Sequence, residues 1–281
     1  MSAHLPTVPN LLGIGAMKAG TRSFYELLRR TPGTAVTLDH EPAVLSSSPD
    51  RATALRRYGQ QFPGRRTEAT VRAELSTAYA KRPRVEGVAD RARDWLGEGT
   101  DVVYLVRDPI DRMRSQVRHQ MATGSIAQMP WADVLRAHPE VVSYSRYEYQ
   151  LEPWRTRFHD RVHIILLDDL VAHPERIMRA LFDAIGQPRP QEAALALPRL
   201  NTADDVRSVP SWLHRAARNP TYRRLVRPVI PSDMLRRLRK GVGTVAGKPL
   251  DDFDANAHPE ITARLRQEFD AVLGDPARLR P

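Results

Sequence analysis

The chain has 281 residues, with 43 Lys and Arg against 33 Asp and Glu, and a formal charge of +10. Hydrophobic residues at 41% and charged residues at 27% match a soluble globule and exclude a disordered or fibrous chain; no apolar run approaches the roughly 20 residues that span a bilayer. With no cysteine, disulfides, thiol nucleophiles and Cys-ligated metals are excluded, and Met1 to Pro9 lacks the basic and apolar regions of a signal peptide, so the expected compartment is the cytoplasm.

In chain order, Asn10 to Gly15 reads as a buried strand that breaks at glycine. Thr21 to Arg30 follows as a helix with Phe24, Leu27 and Leu28 inward, stopped by Thr31-Pro32-Gly33. Ala35 to Leu38 and Ala69 to Leu75 read as further strands, and Val102 to Val106 is the clearest buried one. Asp108 before Pro109 fits an N-cap with proline at the first helical position, opening a helix to about Met121. Tyr144, Tyr147, Leu151, Trp154 and Phe158 recur at helical spacing and predict one packed face. Val162 to Leu167 reads as a strand, Pro174 to Ile185 and Pro259 to Leu273 as helices, and Gln187 to Pro210 as an irregular lid or connector. Strands alternating with helices imply an α/β fold, a P-loop-like parallel sheet flanked by helices, with a mostly helical basic C-terminal segment. Residues 1–281 read as a single domain, with the core at about 10–186 and the lid and C-terminal helices at about 187–281.

The loop after the first strand is Gly15-Ala16-Met17-Lys18-Ala19-Gly20-Thr21-Arg22-Ser23. A glycine-bounded loop running into a helix lets successive backbone amides converge on an anion, aided by the helix dipole. The spacing nearly fits the P-loop pattern, but Thr21 holds the lysine position and Lys18 sits inside the loop. No magnesium-binding carboxylate follows a strand in the usual way, because Val106 runs into Arg107, and this with the position of Lys18 disfavours a P-loop nucleotide kinase. Arg107 at a strand end and Ser115 on the next helix can clamp a second phosphate. Two anion sites on neighbouring strand ends suit a nucleotide phosphorylated at both ends.

The loop from Gly15 to Ser23, the run Val103 to Pro109 and Ser115 together resemble the two donor signatures of PAPS-dependent sulfotransferases, most of all the heparan-sulfate-type and related bacterial carbohydrate enzymes. Tyr147-Glu148-Tyr149-Gln150-Leu151 and Leu166 to Leu170 extend the likeness over roughly the first two thirds of the chain. The resemblance implies that Lys18, Ala19, Gly20, Thr21, Arg22 and Ser23 hold the 5′ end of 3′-phosphoadenosine 5′-phosphosulfate (PAPS). It likewise implies that Arg107 and Ser115 hold its 3′-phosphate, and that adenosine 3′,5′-bisphosphate (PAP) is released with no metal required. Lys18 would neutralise charge growing on the bridging oxygen. The family's catalytic glutamate lies in a Lys-Glu-Pro-like motif; His40-Glu41-Pro42 gives that role to Glu41, with His40 as the other candidate base. Where the family carries Glu-Lys-[Ser/Thr]-Pro-x-Tyr, this chain reads Glu74-Leu75-Ser76-Thr77-Ala78-Tyr79. Leu75 removes a lysine that lies near the sulfuryl group, while Glu74 and Tyr79 become candidates for the acceptor site.

Most of the net positive charge lies between His214 and Lys248, where ten basic residues face the single acid Asp233. Such a field attracts a doubly anionic donor, and the segment is expected to act as a lid, with Arg207 just upstream as a donor contact. The other reading is a basic nucleic-acid or anionic-membrane binder working through 214–248. Only Trp212 and Tyr222 interleave there and no nucleic-acid motif is present, so no nucleic-acid partner is expected, and membrane contact would be peripheral. The expected partner is a small-molecule or glycan acceptor with a hydroxyl.

Overall fold

The computed structural model describes residues 7–62, 64, 68–190 and 252–281. Five strands form one all-parallel sheet: β1 (Leu11–Gly15), β2 (Thr34–Val36), β3 (Val71–Leu75), β4 (Asp101–Val106) and β5 (Val162–Leu166). Their order across the sheet is β2-β3-β1-β4-β5. The chain moves outward from β1 to β2 on one side and later to β4 and β5 on the other. The crevice between the C-terminal ends of β1 and β4 is therefore the topological switch point, where open α/β sheets bind ligands. Every residue of β1 and β4 is buried, as a sheet covered on both faces requires.

Helix α1 (Thr21–Arg30) buries Phe24, Leu27 and Leu28, the face expected from their spacing. Helices α2 (Val44–Ser47), α3 (Arg51–Gln61) and α4 (Val88–Leu96) follow β2 and β3. In α3 the Asp50 carboxylate caps Thr53 N at 2.7 Å; only Ala54 and Tyr58 are buried, so no apolar stripe announced this helix. Helix α5 (Pro109–Ala122) starts on the expected cap, with Asp108 accepting from Asp111 N at 2.8 Å. The single helix expected around Tyr144 to Phe158 is instead two, α7 (Glu140–Ser143) and α8 (Tyr147–Phe158). Tyr144 and Tyr147 are buried on either side of the break, which preserves the apolar spacing across it.

A second core forms beside α5, where Trp131 and Val134 of α6 (Trp131–Ala137), Val141 and Leu265 of α11 (Pro259–Gly274) meet Ile110, Met113 and Val117. After β5 come α9 (Leu167–Ala172) and α10 (Pro174–Ala184), so the strand ends one residue earlier than its apolar run. The chain's end returns to the sheet: Leu279 N donates to Ile164 O at 2.9 Å, covering the open edge of β5. The expected lid, Gln187 to Lys248, lies almost wholly outside the described residues, as does Arg207. Among the described residues no helix is long and apolar enough to cross a membrane.

Candidate active site

The loop after β1 is built by backbone bonds. Ala16 N donates to Leu105 O at 2.8 Å, tying the loop to β4, and Ala19 N closes a turn on Ala16 O at 3.1 Å. Lys18 (φ 71°) and Gly20 (φ 85°) both take the left-handed conformation. At Gly20 a side chain would be strained by this conformation and would have to displace Leu167, whose Cδ1 would stand 2.4 Å from a Cβ. At Lys18 the same conformation costs about 1–2 kcal/mol, strain that the surrounding bonds hold in place. No side chain caps α1, so the amides of Thr21, Arg22 and Ser23 are left to face an incoming anion at the positive end of the helix. Ala19 is fully buried and serves through its backbone, whereas the Arg22 side chain is exposed.

Arg107 leaves the end of β4 with its backbone fixed by Tyr147, whose hydroxyl donates to Arg107 O at 2.7 Å. Its guanidinium lies 3.5 Å from Lys18 O and 3.6 Å from the Asp111 carboxylate. Burial lowers the proton affinity of the Lys18 ammonium, and the neighbouring Arg107 charge lowers it further. Half-buried Ser115 stands on α5, which packs against this loop through Arg112. Arg112 is fully buried and donates to Ser145 Oγ (2.7 Å), Gln116 Oε1 (2.8 Å), Val141 O (2.8 Å) and, more loosely, Met17 O (3.4 Å). One turn beyond Ser115 lies His119, whose basicity is lowered by partial burial and then by Lys18. Sequence reading missed both Arg112 and His119; their spacing around Ser115 on one helix was the available signal.

Across the crevice Glu41 sits on a strained turn: Glu41 (φ 57°) and Ala43 (φ 50°) are both left-handed. Thr77 Oγ1 donates to Glu41 Oε2 at 3.0 Å. Ser76 Oγ accepts from Ala43 N at 2.9 Å, Glu74 from Val44 N at 3.2 Å and Tyr79 from Leu45 N at 2.9 Å. Arg57 Nη2 donates to Pro42 O at 3.0 Å. His40 packs edge-on to Tyr25, ring centroids 5.0 Å apart, with its Nε2 buried and without a hydrogen-bond partner. Burial holds its imidazole below the usual range, opposed by Glu41 and reinforced by Arg22.

Glu74 and Tyr79 are not pocket residues. Their exposures are 0% and 2%, and the Glu74 carboxylate accepts from Tyr58, Tyr79, Ser76 and Val44 N. Burial pushes the Glu74 carboxyl up, against the pull of these four donors. Its place is beneath the Glu41 turn, where it accepts from Val44 N at 3.2 Å. Leu75 likewise faces the core; it packs so tightly on Gly13 that a Cβ there would stand 2.5 Å from Leu75 Cγ.

Among solved structures, the chain is similar to a sulfotransferase from Alicyclobacillus acidocaldarius, with a TM-score of 0.56 and 19% identity over 71% of this chain and 88% of that one. It is also similar to the sulfotransferase domain from the curacin biosynthetic pathway, with a TM-score of 0.51 and 14% identity over 92% and 96% of the two chains. The chain has the sulfotransferase fold. No protein-family model and no curated protein matches the sequence, so the likeness is carried by the backbone.

Within this sulfotransferase fold, the loop after β1 and the end of β4 meet at the switch point, bringing Lys18 and Arg107 together. Helix α1 borders the other side as well, since Tyr25 packs edge-on to His40 with ring centroids 5.0 Å apart. Thr77 completes the far wall through its bond to Glu41, and half-buried Lys81 follows one residue past the short 3₁₀ turn Thr77–Ala80. A cleft at the opposite ends of the strands, lined by Asn10, Val71, Asp101 and Arg161, is remote from all of these.

Proposed function

We propose that this chain transfers the sulfuryl group of PAPS to a hydroxyl of a carbohydrate, glycolipid or natural-product acceptor. The observation that carries the reading is the pairing of Lys18 with Arg107 at the β1–β4 crevice, beside an uncapped helix terminus and across from Glu41. These groups fit a nucleotide with phosphates at both ends. The amides of Thr21, Arg22 and Ser23 with Lys18 would take the 5′-phosphosulfate, and Arg107 with Ser115 the 3′-phosphate. PAPS supplies an activated sulfuryl group on a phosphate leaving group.

Glu41 takes the proton from the acceptor hydroxyl as its oxygen bonds to sulfur. On the far side the bond between sulfur and the bridging oxygen breaks, its electron pair stays on that oxygen of the departing phosphate, and Lys18 and the α1 amides stabilise the charge that gathers there. Their stabilisation grows as that charge grows, which lowers the barrier and not merely the energy of the bound donor. Thr77 aims the carboxylate, and the Glu74 cluster holds the strained turn that presents it.

The donor assignment has a direct test. Arg107→Ala should weaken binding of PAP far more than binding of AMP, because only PAP carries the 3′-phosphate. Losing a charged hydrogen-bond partner costs about 1.5–3 kcal/mol, roughly ten- to a hundredfold in affinity. Equal losses for the two nucleotides, measured by calorimetry, would remove Arg107 from the 3′ site.

A further inference from the structure

The lysine that the family pattern places at the position of Leu75 is missing, and Leu75 itself is turned into the core. A different cation occupies the same wall. Lys81 follows the Thr77–Ala80 turn, in which Thr77, Tyr79 and Ala80 are all buried. On its other side Arg82 is clamped to fully buried Gln150, which accepts from Arg82 N and donates to Arg82 O, both at 2.9 Å. The backbone of Lys81 is thus fixed between two anchored neighbours. Its half-buried ammonium makes no hydrogen bond or ion pair with the described residues. The charges that act on it are those of Glu41, Arg84 and Arg112.

The turn before Lys81 fixes where it sits: at one end Thr77 Oγ1 donates to Glu41 Oε2 at 3.0 Å, and at the other Ala80 packs on Gly15 at the start of the loop after β1, where a Cβ would stand 3.3 Å from Ala80 Cβ. Glu41 marks the side from which an acceptor hydroxyl enters. Arg112 marks the wall beneath the phosphate loop, because its guanidinium reaches Met17 O. Between a base and the leaving-group site is where a group in flight must pass in an in-line transfer. Resting on the donor reading above, we propose that Lys81 is the cation that meets the transferred sulfuryl group, taking the part the family gives to a lysine at the position of Leu75. A cation partly withdrawn from water with no partner among the described residues is costly, and the sulfuryl oxygens would offset that cost when the donor binds. Burial lowers the proton affinity of the ammonium, Glu41 opposes the fall, and Arg84 and Arg112 add to it.

PAPS and PAP separate this role from a general attraction for anions, since only PAPS carries the sulfuryl group. Calorimetric titration of the full chain with each nucleotide, without acceptor, should show Lys81→Met losing about tenfold in PAPS affinity with PAP affinity unchanged. Lys81→Arg, which keeps the charge, should retain most of the PAPS affinity. If Lys81→Met weakens both nucleotides equally, or leaves PAPS binding at the wild-type value, Lys81 does not meet the sulfuryl group. Wild-type protein that takes neither nucleotide would instead overturn the donor reading, and the role of Lys81 with it.

Discussion

Replacing Glu41 by glutamine is expected to cut turnover by about 10²–10⁴ while leaving affinity for PAP nearly intact, the size of effect that follows loss of general-base help. Glutamine has the same shape and keeps an oxygen for the Thr77 hydroxyl, so the turn survives the change; only the capacity to take a proton is lost. His40 gives the contrast. Its ring is packed on Tyr25, and burial disfavours its protonated form. His40→Ala should therefore cost much less than Glu41→Gln in transfer to a hydroxyl acceptor, followed as the mass gain of one SO₃ group. If His40→Ala produces the large loss and Glu41→Gln does not, the two roles are exchanged.

Glu74→Ala is expected to destabilise the fold by about 3–5 kcal/mol, because it strands four buried donors at once. Tyr58, Tyr79, Ser76 and Val44 N all point at one carboxylate with 0% exposure. The same change should loosen the strained Glu41 turn, so activity should fall even at temperatures where the variant is folded. The pH trend also has a fixed sign. Burial raises the folded carboxyl above its unfolded value of about 4.3, so its stabilising contribution is fullest below that pH and is lost as pH rises through the raised value. The stability difference between wild type and Glu74→Gln should accordingly shrink with rising pH. Denaturant titrations of the three proteins across pH 4–8 measure both effects, and an Ala variant as stable as wild type would contradict the hub role.

What could be read in the sequence was local. The strand, glycine loop and helix from Leu11 to Arg30 announce themselves through apolar runs, breakers and spacing, and so does the Asp108-Pro109 start of α5. In the structure the Arg107 guanidinium lies 3.5 Å from Lys18 O, at the ends of adjacent strands. What could not be read depended on contacts distant in sequence. Glu74 looks like a pocket carboxylate until Tyr58, sixteen residues earlier, is found bonded to it. Thr77 gave no sign of its hold on Glu41, since nothing in the spacing joins a loop after β2 to a turn after β3. Leu75 read as a lost charge, and nothing in its spacing showed that its side chain packs over Gly13. Helix α3 was invisible because it buries little more than Ala54 and Tyr58.

The central claim is that the Lys18 loop and Arg107 together hold a nucleotide phosphorylated at both ends. Calorimetric titration of the wild-type chain with PAP, AMP and magnesium-ATP tests it most directly. The expected result is saturable binding of PAP, at least about tenfold tighter than AMP and unchanged by a metal chelator, because Arg107 and Ser115 add a second charged anchor. Tight binding of magnesium-ATP with no preference for PAP over AMP would contradict it and return the crevice to phosphoryl transfer.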